Sequence, residues 1–386
     1  MCAAVCGRQA IRIELSEEGF YRPVVDAAAC VDCGLCTRVC YRFDPEPAAT
    51  SETDLGRMPL YAASARDEAL LRQTTSGGVA DLLARRLLAD GYRCVGVRYD
   101  DAAARAEHVV CDTPEGLDAF RGSKYIQSYT LNAFRELAGR CRWERFAVFG
   151  TPCQIYAVHR YLSLRGLRDR CVLVDLYCHG CPSLHVWHKY QREVKALVRQ
   201  PRFDRVDFRS KVKGWGSFHI SAYAGEERVF TSSPRRDAFY ELFFSDMVLG
   251  EACHDCRLRS TLAYTDIRLG DFWGKRYVWN HRGVSAVSLC TERGREVFEA
   301  IRPQLDCRPE RYADFLPWQS WGHTYHPQPD VRQRMLASLG DASRPLSVAV
   351  AIFRAQQGWK GRLKRRVKAL AYYLPPFAVS ILKRWA

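Results

Sequence analysis

From about residue 58 to residue 340, apolar and polar positions fall into alternating strand-like and helix-like stretches, the pattern of an α/β domain. Val79, Leu82, Leu83, Leu87 and Leu88 recur at helical spacing and are closed by Gly91, and Thr74-Thr75-Ser76-Gly77-Gly78 forms the turn that opens this helix. Arg145–Phe149 reads as a strand that runs into Gly150-Thr151-Pro152-Cys153 and a second helix, with Thr151 able to cap and Pro152 suited to the first helical position. Cys171–Leu176 is another apolar strand and delivers Cys178-His179-Gly180-Cys181 at its end. Residues 266–269 form a further strand before the turn Gly270-Asp271-Phe272-Trp273-Gly274. Residues 44–58, with Pro45, Pro47 and a Ser/Thr/Glu stretch, read as a linker. The chain thus divides into residues 1–45, a cysteine module; residues 58–140 and 141–340, the two parts of a main domain; and residues 341–386, a tail.

With 386 residues, 47% of them hydrophobic and 26% charged, the chain is long enough for two domains around a large core. A net charge of +15 would suggest nucleic acid if it were spread out, but ten Lys/Arg and no Asp/Glu lie in residues 342–386. The basicity therefore belongs to the tail and no nucleic-acid partner is expected. Its apolar run, residues 369–382, is broken by Pro375-Pro376 and is shorter than the about 20 residues that span a bilayer. Two expectations follow for residues 354–386: contact with an anionic membrane surface on its inner face, or a solvated helix whose apolar end packs on the main domain. Seventeen cysteines without a signal peptide point to a reducing, cytoplasmic setting and to metal ligation rather than disulfides.

Cys30, Cys33, Cys36 and Cys40 have the C-x2-C-x2-C-x3-C spacing of a ferredoxin-type iron–sulfur ligand run, in which the fourth cysteine serves the other cluster of a pair. Cys2, Val5 and Cys6 repeat Cys36, Val39 and Cys40 at an offset of 34 residues. The swap assigns one cluster to Cys6, Cys30, Cys33 and Cys36. A second would use Cys2, Cys40 and two cysteines ahead of Met1, which leads to the expectation of a misplaced start and of one or two clusters in this module. Cys153, Cys178, Cys181, Cys253 and Cys256 are five further candidate thiolates, enough for another iron–sulfur site or, as the rival, a four-cysteine zinc site. Cys94, Cys111, Cys141, Cys171, Cys290 and Cys307 stand singly and read as core or surface residues. The 74–78 turn is either an ordinary helix cap or a phosphate cradle, and Arg121-Gly122-Ser123-Lys124-Tyr125 either an exposed turn or a ligand loop.

CVDCGLCTRVC, TSGGVADLL, FRGSKYIQSY, FGTPCQIYAVHRYL, DLYCHGCPS, CHDCRLR and TDIRLGDFWG occur in this order over roughly residues 1–335, and in this the chain resembles the coenzyme F420 hydrogenase/dehydrogenase beta-subunit family. The resemblance implies an α/β main domain, a mixed sheet with helices, preceded by a small α+β ferredoxin-like domain. It implies 4Fe–4S clusters and FAD, with coenzyme F420 as one candidate substrate. The main-domain cluster would use Cys153, Cys178, Cys253 and Cys256, and Cys181 departs from the family pattern. The flavin would lie against Ser76, Gly77, Gly78, Ser123, Lys124 and Tyr125, with Thr151 nearby. The expected function is an oxidoreductase that passes electrons between a ferredoxin or other redox partner protein and a small organic or sugar-linked substrate, as in relatives encoded beside polysaccharide genes. The alternatives are a non-catalytic electron-relay subunit and a zinc-stabilised binding protein. His179 and Asp271 are the candidates for proton delivery, each with a loop-holding role as the competing reading.

Overall fold

The computed structural model describes residues 1–216, 219–232, 237–277 and 279–359. At the N-terminus, β1 (Ile11–Leu15) and β2 (Tyr21–Val25) form an antiparallel hairpin, followed by the cysteine loop and a one-turn helix at Leu35–Arg38. The main body contains β3 (Leu60–Ala65), β4 (Tyr92–Asp100), β5 (Arg105–Cys111), β6 (Ser128–Tyr129), β7 (Arg145–Phe149), β8 (Cys171–Leu176), β9 (Arg205–Asp207), β10 (Ser221–Ala224), β11 (Glu227–Thr231), β12 (Ile267–Asp271), β13 (Ser285–Leu289) and β14 (Leu305–Glu310). Nine of these build one mixed sheet in the order β14-β3-β13-β12-β8-β7-β4-β5-β6. Its centre, β12-β8-β7-β4, is parallel, while β13, β3 and β14 continue one side in antiparallel fashion.

The central strands are apolar on both faces because both faces are covered. Ala147, Val172 and Val174 pack with Val79, Leu83 and Leu87 of the helix Val79–Ala89 and Phe298 of the helix Glu292–Ile301. The alternate residues Phe146, Val148, Cys171 and Leu173 pack on Phe134 and Leu137 of the helix Leu131–Arg140 and Ile155 and Val158 of the helix Pro152–Leu164. Each such side chain contributes about 1.5–3 kcal/mol by leaving water. Charge enters this core once in a pairing that shapes the site: Arg268 on β12 stands opposite Asp175 on β8, bonds it at 2.8 and 2.5 Å, and both side chains are 2% exposed. A second core forms where the sheet β11-β10-β9 meets the helices Leu184–Val198, Ala238–Phe243, Pro329–Gly340 and Leu346–Gln356, around Trp187, Phe208, Phe239 and Met335.

The cysteine module is fastened to the main body by hydrogen bonds from Tyr21 N–H to Gln127 Oε1 (2.8 Å), Leu184 N–H to Gly19 O (2.8 Å) and Ser183 Oγ to Glu18 O (2.6 Å). Tyr41, which stands just after the run, is buried edge-on against Tyr156 and donates its hydroxyl to Ala252 O at 2.9 Å. Three expectations change. The stretch expected to be a linker contains the helix Glu52–Arg57, because Ser51 and Asp54 form a capping box. β12 extends through Gly270 and Asp271, so Asp271 ends a strand rather than sitting inside a turn. The tail begins docked, with Leu346, Ala349 and Val350 buried and Arg354 paired to Glu241. Residues 360–386, where the rest of that expectation falls, lie outside the described residues. Among the described residues no helix is long and apolar enough to cross a membrane.

Candidate functional site

Parallel strands present ligands at their C-terminal ends, and the sequence places thiols there. After β7, Thr151 caps the helix Pro152–Leu164; Gln154 Oε1 accepts from its N–H at 2.9 Å, and its hydroxyl lies 3.3 Å from Cys153 Sγ in the first helical turn. After β8 comes the loop 178–181, whose Gly180 has φ 152°, and a Cβ there would sit 2.9 Å from Leu249 Cδ1 and 3.4 Å from Cys253 Cβ. That contact aligns the loop with a second one carrying Cys253 and Cys256. Gly250 N–H donates to Cys181 O (2.9 Å) and Ser183 N–H to Val248 O (2.8 Å). Arg259, buried, donates to both His179 O (3.1 Å) and Cys253 O (2.5 Å) and so ties the two loops together.

All five main-domain thiols line one cavity of about 340 Å³, and Cys2 and Cys40 of the N-terminal module reach it from the opposite wall. Cys153 is accessible to that cavity while protein surrounds it; burial, then the neighbouring Cys256, pushes its thiol up to about 12. Burial likewise pushes Cys178 and Cys181 upward, with Cys253, Cys153 and Cys256 adding to it. Cys253 is raised by burial too, against a hydrogen bond from the Cys181 backbone N–H. Burial and the neighbouring thiols hold these groups in their neutral form, so they would ionise only against a cation, and a thiol-only donor set suits soft iron or zinc. A zinc ion needs four donors about 2.3 Å from one point. Among the described residues no group of three or more His, Cys, Asp or Glu side chains is gathered closely enough to hold a metal ion, while all five thiols line the one cavity. In the module, Cys2, Cys6 and Cys36 pack beside Ala3, Ile11 and Leu131, whereas Cys30 and Cys33 are exposed.

The second half of the site lies along the same sheet edge. Gly77 rests on the ends of β3 and β13, where a Cβ would come within 2.1 Å of Ala63 O and 2.7 Å of Ser285 N. Its N–H donates to Ser285 Oγ (2.9 Å), and Ser76 Oγ donates to Val284 O (3.0 Å). Gly78, at φ 79°, then opens the helix. Thr75 Oγ1 accepts from Ser123 N–H at 2.9 Å, which brings the 74–78 and 121–125 loops side by side. Lys124 Nζ donates to Arg121 O (2.8 Å) and Ala119 O (3.0 Å), and burial pushes its ammonium down to about 7 despite Asp207. Lys211 Nζ donates to Ser76 O (2.5 Å) and Leu71 O (2.7 Å), and burial lowers it to about 8. Asp271, at the end of β12, pairs with Arg209 and accepts from Trp215 Nε1 at 2.9 Å, while Trp215 stacks on Trp273 at 4.5 Å.

Tyr125 connects the two halves. Its ring meets Phe243 edge-on at 5.4 Å, Arg209 approaches its hydroxyl at 3.4 Å, and Cys178 is among the groups that act on it electrostatically. His179 uses both ring nitrogens, Nε2 with Asp246 Oδ1 (2.9 Å) and Nδ1 with Ser320 Oγ (3.1 Å) and Tyr325 OH (3.0 Å), and it does not line the cavity. That is the geometry of a loop holder. Thr75, Arg209, Lys211, Trp215, Arg259 and Trp273 were not singled out from sequence. The stretch Phe208-Arg209-Ser210-Lys211-Val212-Lys213-Gly214-Trp215-Gly216 carries the same mixture of glycine, cation, hydroxyl and aromatic that marked residues 121–125.

An α/β protein with a thiol-lined cavity at its strand ends is the class that the fold defines. Two family profiles match the chain, those of the N-terminal and C-terminal parts of the coenzyme F420 hydrogenase/dehydrogenase beta subunit, the first over residues 60–135 and the second over residues 143–310. The chain belongs to that family, and its class is that of redox, electron-transferring subunits. Among solved structures, the F420-reducing NiFe hydrogenase complex from Methanosarcina barkeri contains a similar chain at 18% identity, with a TM-score of 0.47 over 73% of this chain and 89% of that one. No curated protein matches.

Proposed function

We propose that this chain is an iron–sulfur flavoprotein that relays electrons between a redox partner protein and a small organic, deazaflavin or sugar-linked substrate. Cys153, Cys178, Cys253 and Cys256 would hold a 4Fe–4S cluster, Cys6, Cys30, Cys33 and Cys36 a ferredoxin-type cluster, and residues 76–78 and 123–125 FAD. When bound, these groups supply one-electron carriers and a centre that pairs electrons for two-electron chemistry.

The observation that carries this reading is the convergence of five thiols, from loops about 100 residues apart, on one cavity at the strand ends that Cys2 and Cys40 also face. The residues have separable tasks. Gly77 lets the loop seat directly on the ends of β3 and β13, and Gly78 opens a helix whose first N–H groups would favour phosphate. Lys124 and Lys211 hold the carbonyls of both loops and supply positive charge beside them. Arg209 fixes Asp271 at the strand end, where its carboxylate also orients Trp215. His179 and Arg259 keep the two cysteine loops in register.

Anaerobic purification with iron, sulfide and zinc analysis and a visible spectrum tests the reading. Cys153→Ser and Cys256→Ser should each lose about four irons per chain and keep the flavin bands. Zinc without iron in the wild type, or full iron in both variants, overturns it.

A further inference from the structure

A cubane has four iron corners, and this cavity offers it five main-domain thiols. Three come from positions that leave little choice: Cys153 is fixed by the helix that starts at Pro152, and Cys253 and Cys256 by the loop that Arg259 clamps. The remaining two, Cys178 and Cys181, sit three residues apart on one loop and both line the same cavity. Their surroundings differ. Cys253, Cys153 and Cys256 act on both, but Cys178 also acts on Tyr125 and Tyr325. The turn between them is Gly180, at φ 152°, a backbone region that a side chain would strain. Cys181 also has its carbonyl held by Gly250 N–H at 2.9 Å, so its backbone stays beside the Cys253 loop whichever thiol is engaged.

We infer that Cys181 is a spare ligand: Cys178 and Cys181 form an interchangeable pair, either of which completes the main-domain cluster. This rests on the iron–sulfur reading above. The exchange is balanced, since one cysteine thiolate leaves an iron and takes up a proton while the other gives up its proton and binds, with no change in iron or electron count. The family resemblance makes Cys178 the resident ligand, and Cys181 lines the same cavity.

Full-length protein carrying Cys178→Ala, Cys181→Ala or both, purified anaerobically, separates the possibilities. Alanine is used because a serine oxygen could itself bind iron. Each single variant should retain the wild-type iron and sulfide content, and the double variant should lose about four irons per chain. Cys178→Ala should in addition change the electron paramagnetic resonance spectrum of the reduced protein, because the ligand arrangement at one corner differs, while Cys181→Ala should leave it as in the wild type. Loss of four irons from either single variant alone overturns the proposal by showing one obligate ligand, as does a double variant with full iron. Flavin absorbance and gel filtration identify a misfolded variant, and in that case the corresponding Cys→Val protein, which also offers no ligand atom, decides by the same iron count. Failure of the underlying reading looks different, since Cys153→Ser and Cys256→Ser would then also keep all their iron.

Discussion

Two sets of thiols meet at one corner of this molecule by opposite routes. Cys30, Cys33 and Cys36 lie within seven residues of chain, the first two at the surface and the third half-buried, whereas Cys153, Cys178 and the pair Cys253 and Cys256 are brought together from widely separated positions. Going from a loop of about 3 residues to one of about 100 is roughly five doublings, or about 3 kcal/mol of closure entropy. In the main domain that cost is offset by the buried sheet, because Phe146, Val148, Leu173 and their helix partners fix β7 and β8 before any metal is present. The local run touches the same core only through Val39 and Leu35 at its end. A site made by spacing can form on a short loop, while a site made by topology exists only as long as the fold does.

The most forceful way to break this contrast is to damage the sheet under the cavity. Arg268 neutralises buried Asp175 and also donates to Arg259 O at 3.2 Å, so it links β8, β12 and the turn after Cys256. Arg268→Met should cost about 3–5 kcal/mol by leaving Asp175 buried and unpaired, measured as a lower urea midpoint. About four irons should leave the main site while the N-terminal module keeps its own. Equal iron loss from both sites would mean that they are not independent.

The same contrast explains what could be read from sequence. The four-cysteine run offers a candidate ligand set by spacing alone, and the strands Arg145–Phe149 and Cys171–Leu176 announce themselves by unbroken apolar stretches, the signature of a sheet covered on both sides. The convergence of Cys153 with Cys253 is invisible in a linear pattern, because it depends on which strands are neighbours. Arg259 and Lys211 were missed for a related reason: each acts by donating to backbone carbonyls of a distant loop, and a carbonyl leaves no mark in a sequence. Ser51 and Asp54 did leave a mark, a capping box, which the surrounding prolines and hydroxyl residues obscured.

Accessibility sharpens the comparison with a smaller effect. Cys30 and Cys33 are exposed, while of the main-site thiols Cys153 is exposed and Cys178, Cys253 and Cys256 are half-buried in a cavity that the N-terminal module also lines. A strong iron chelator added to the anaerobic protein should therefore remove iron in two phases. The fast phase should carry about four irons and should vanish in Cys33→Ser. A single phase that includes the main-site iron would show the cavity to be as open as the surface loop.

The smallest effect concerns the flavin half. Burial lowers the Lys124 ammonium from 10.5 to about 7, and Lys211, lowered to about 8, moves in the same sense. Between pH 7 and 10.5 the unfolded chain binds a proton at Lys124 that the folded chain does not, so this group makes folding stability rise with pH across that window. Ligand binding runs the other way. An anionic dinucleotide is favoured by the charged lysine, which is fully present below about pH 7 and lost above it. FAD affinity of the flavin-free protein, followed by quenching of flavin fluorescence, should weaken from pH 6 to pH 8.5 by about 1 kcal/mol, or roughly fivefold, the difference between a charged and a neutral donor. Lys124→Met should bind more weakly at pH 6 and lose most of that slope, with Lys211 supplying the remainder. A wild-type affinity that is flat over this range would move the flavin phosphates away from Lys124 and leave it only its hold on Ala119 and Arg121.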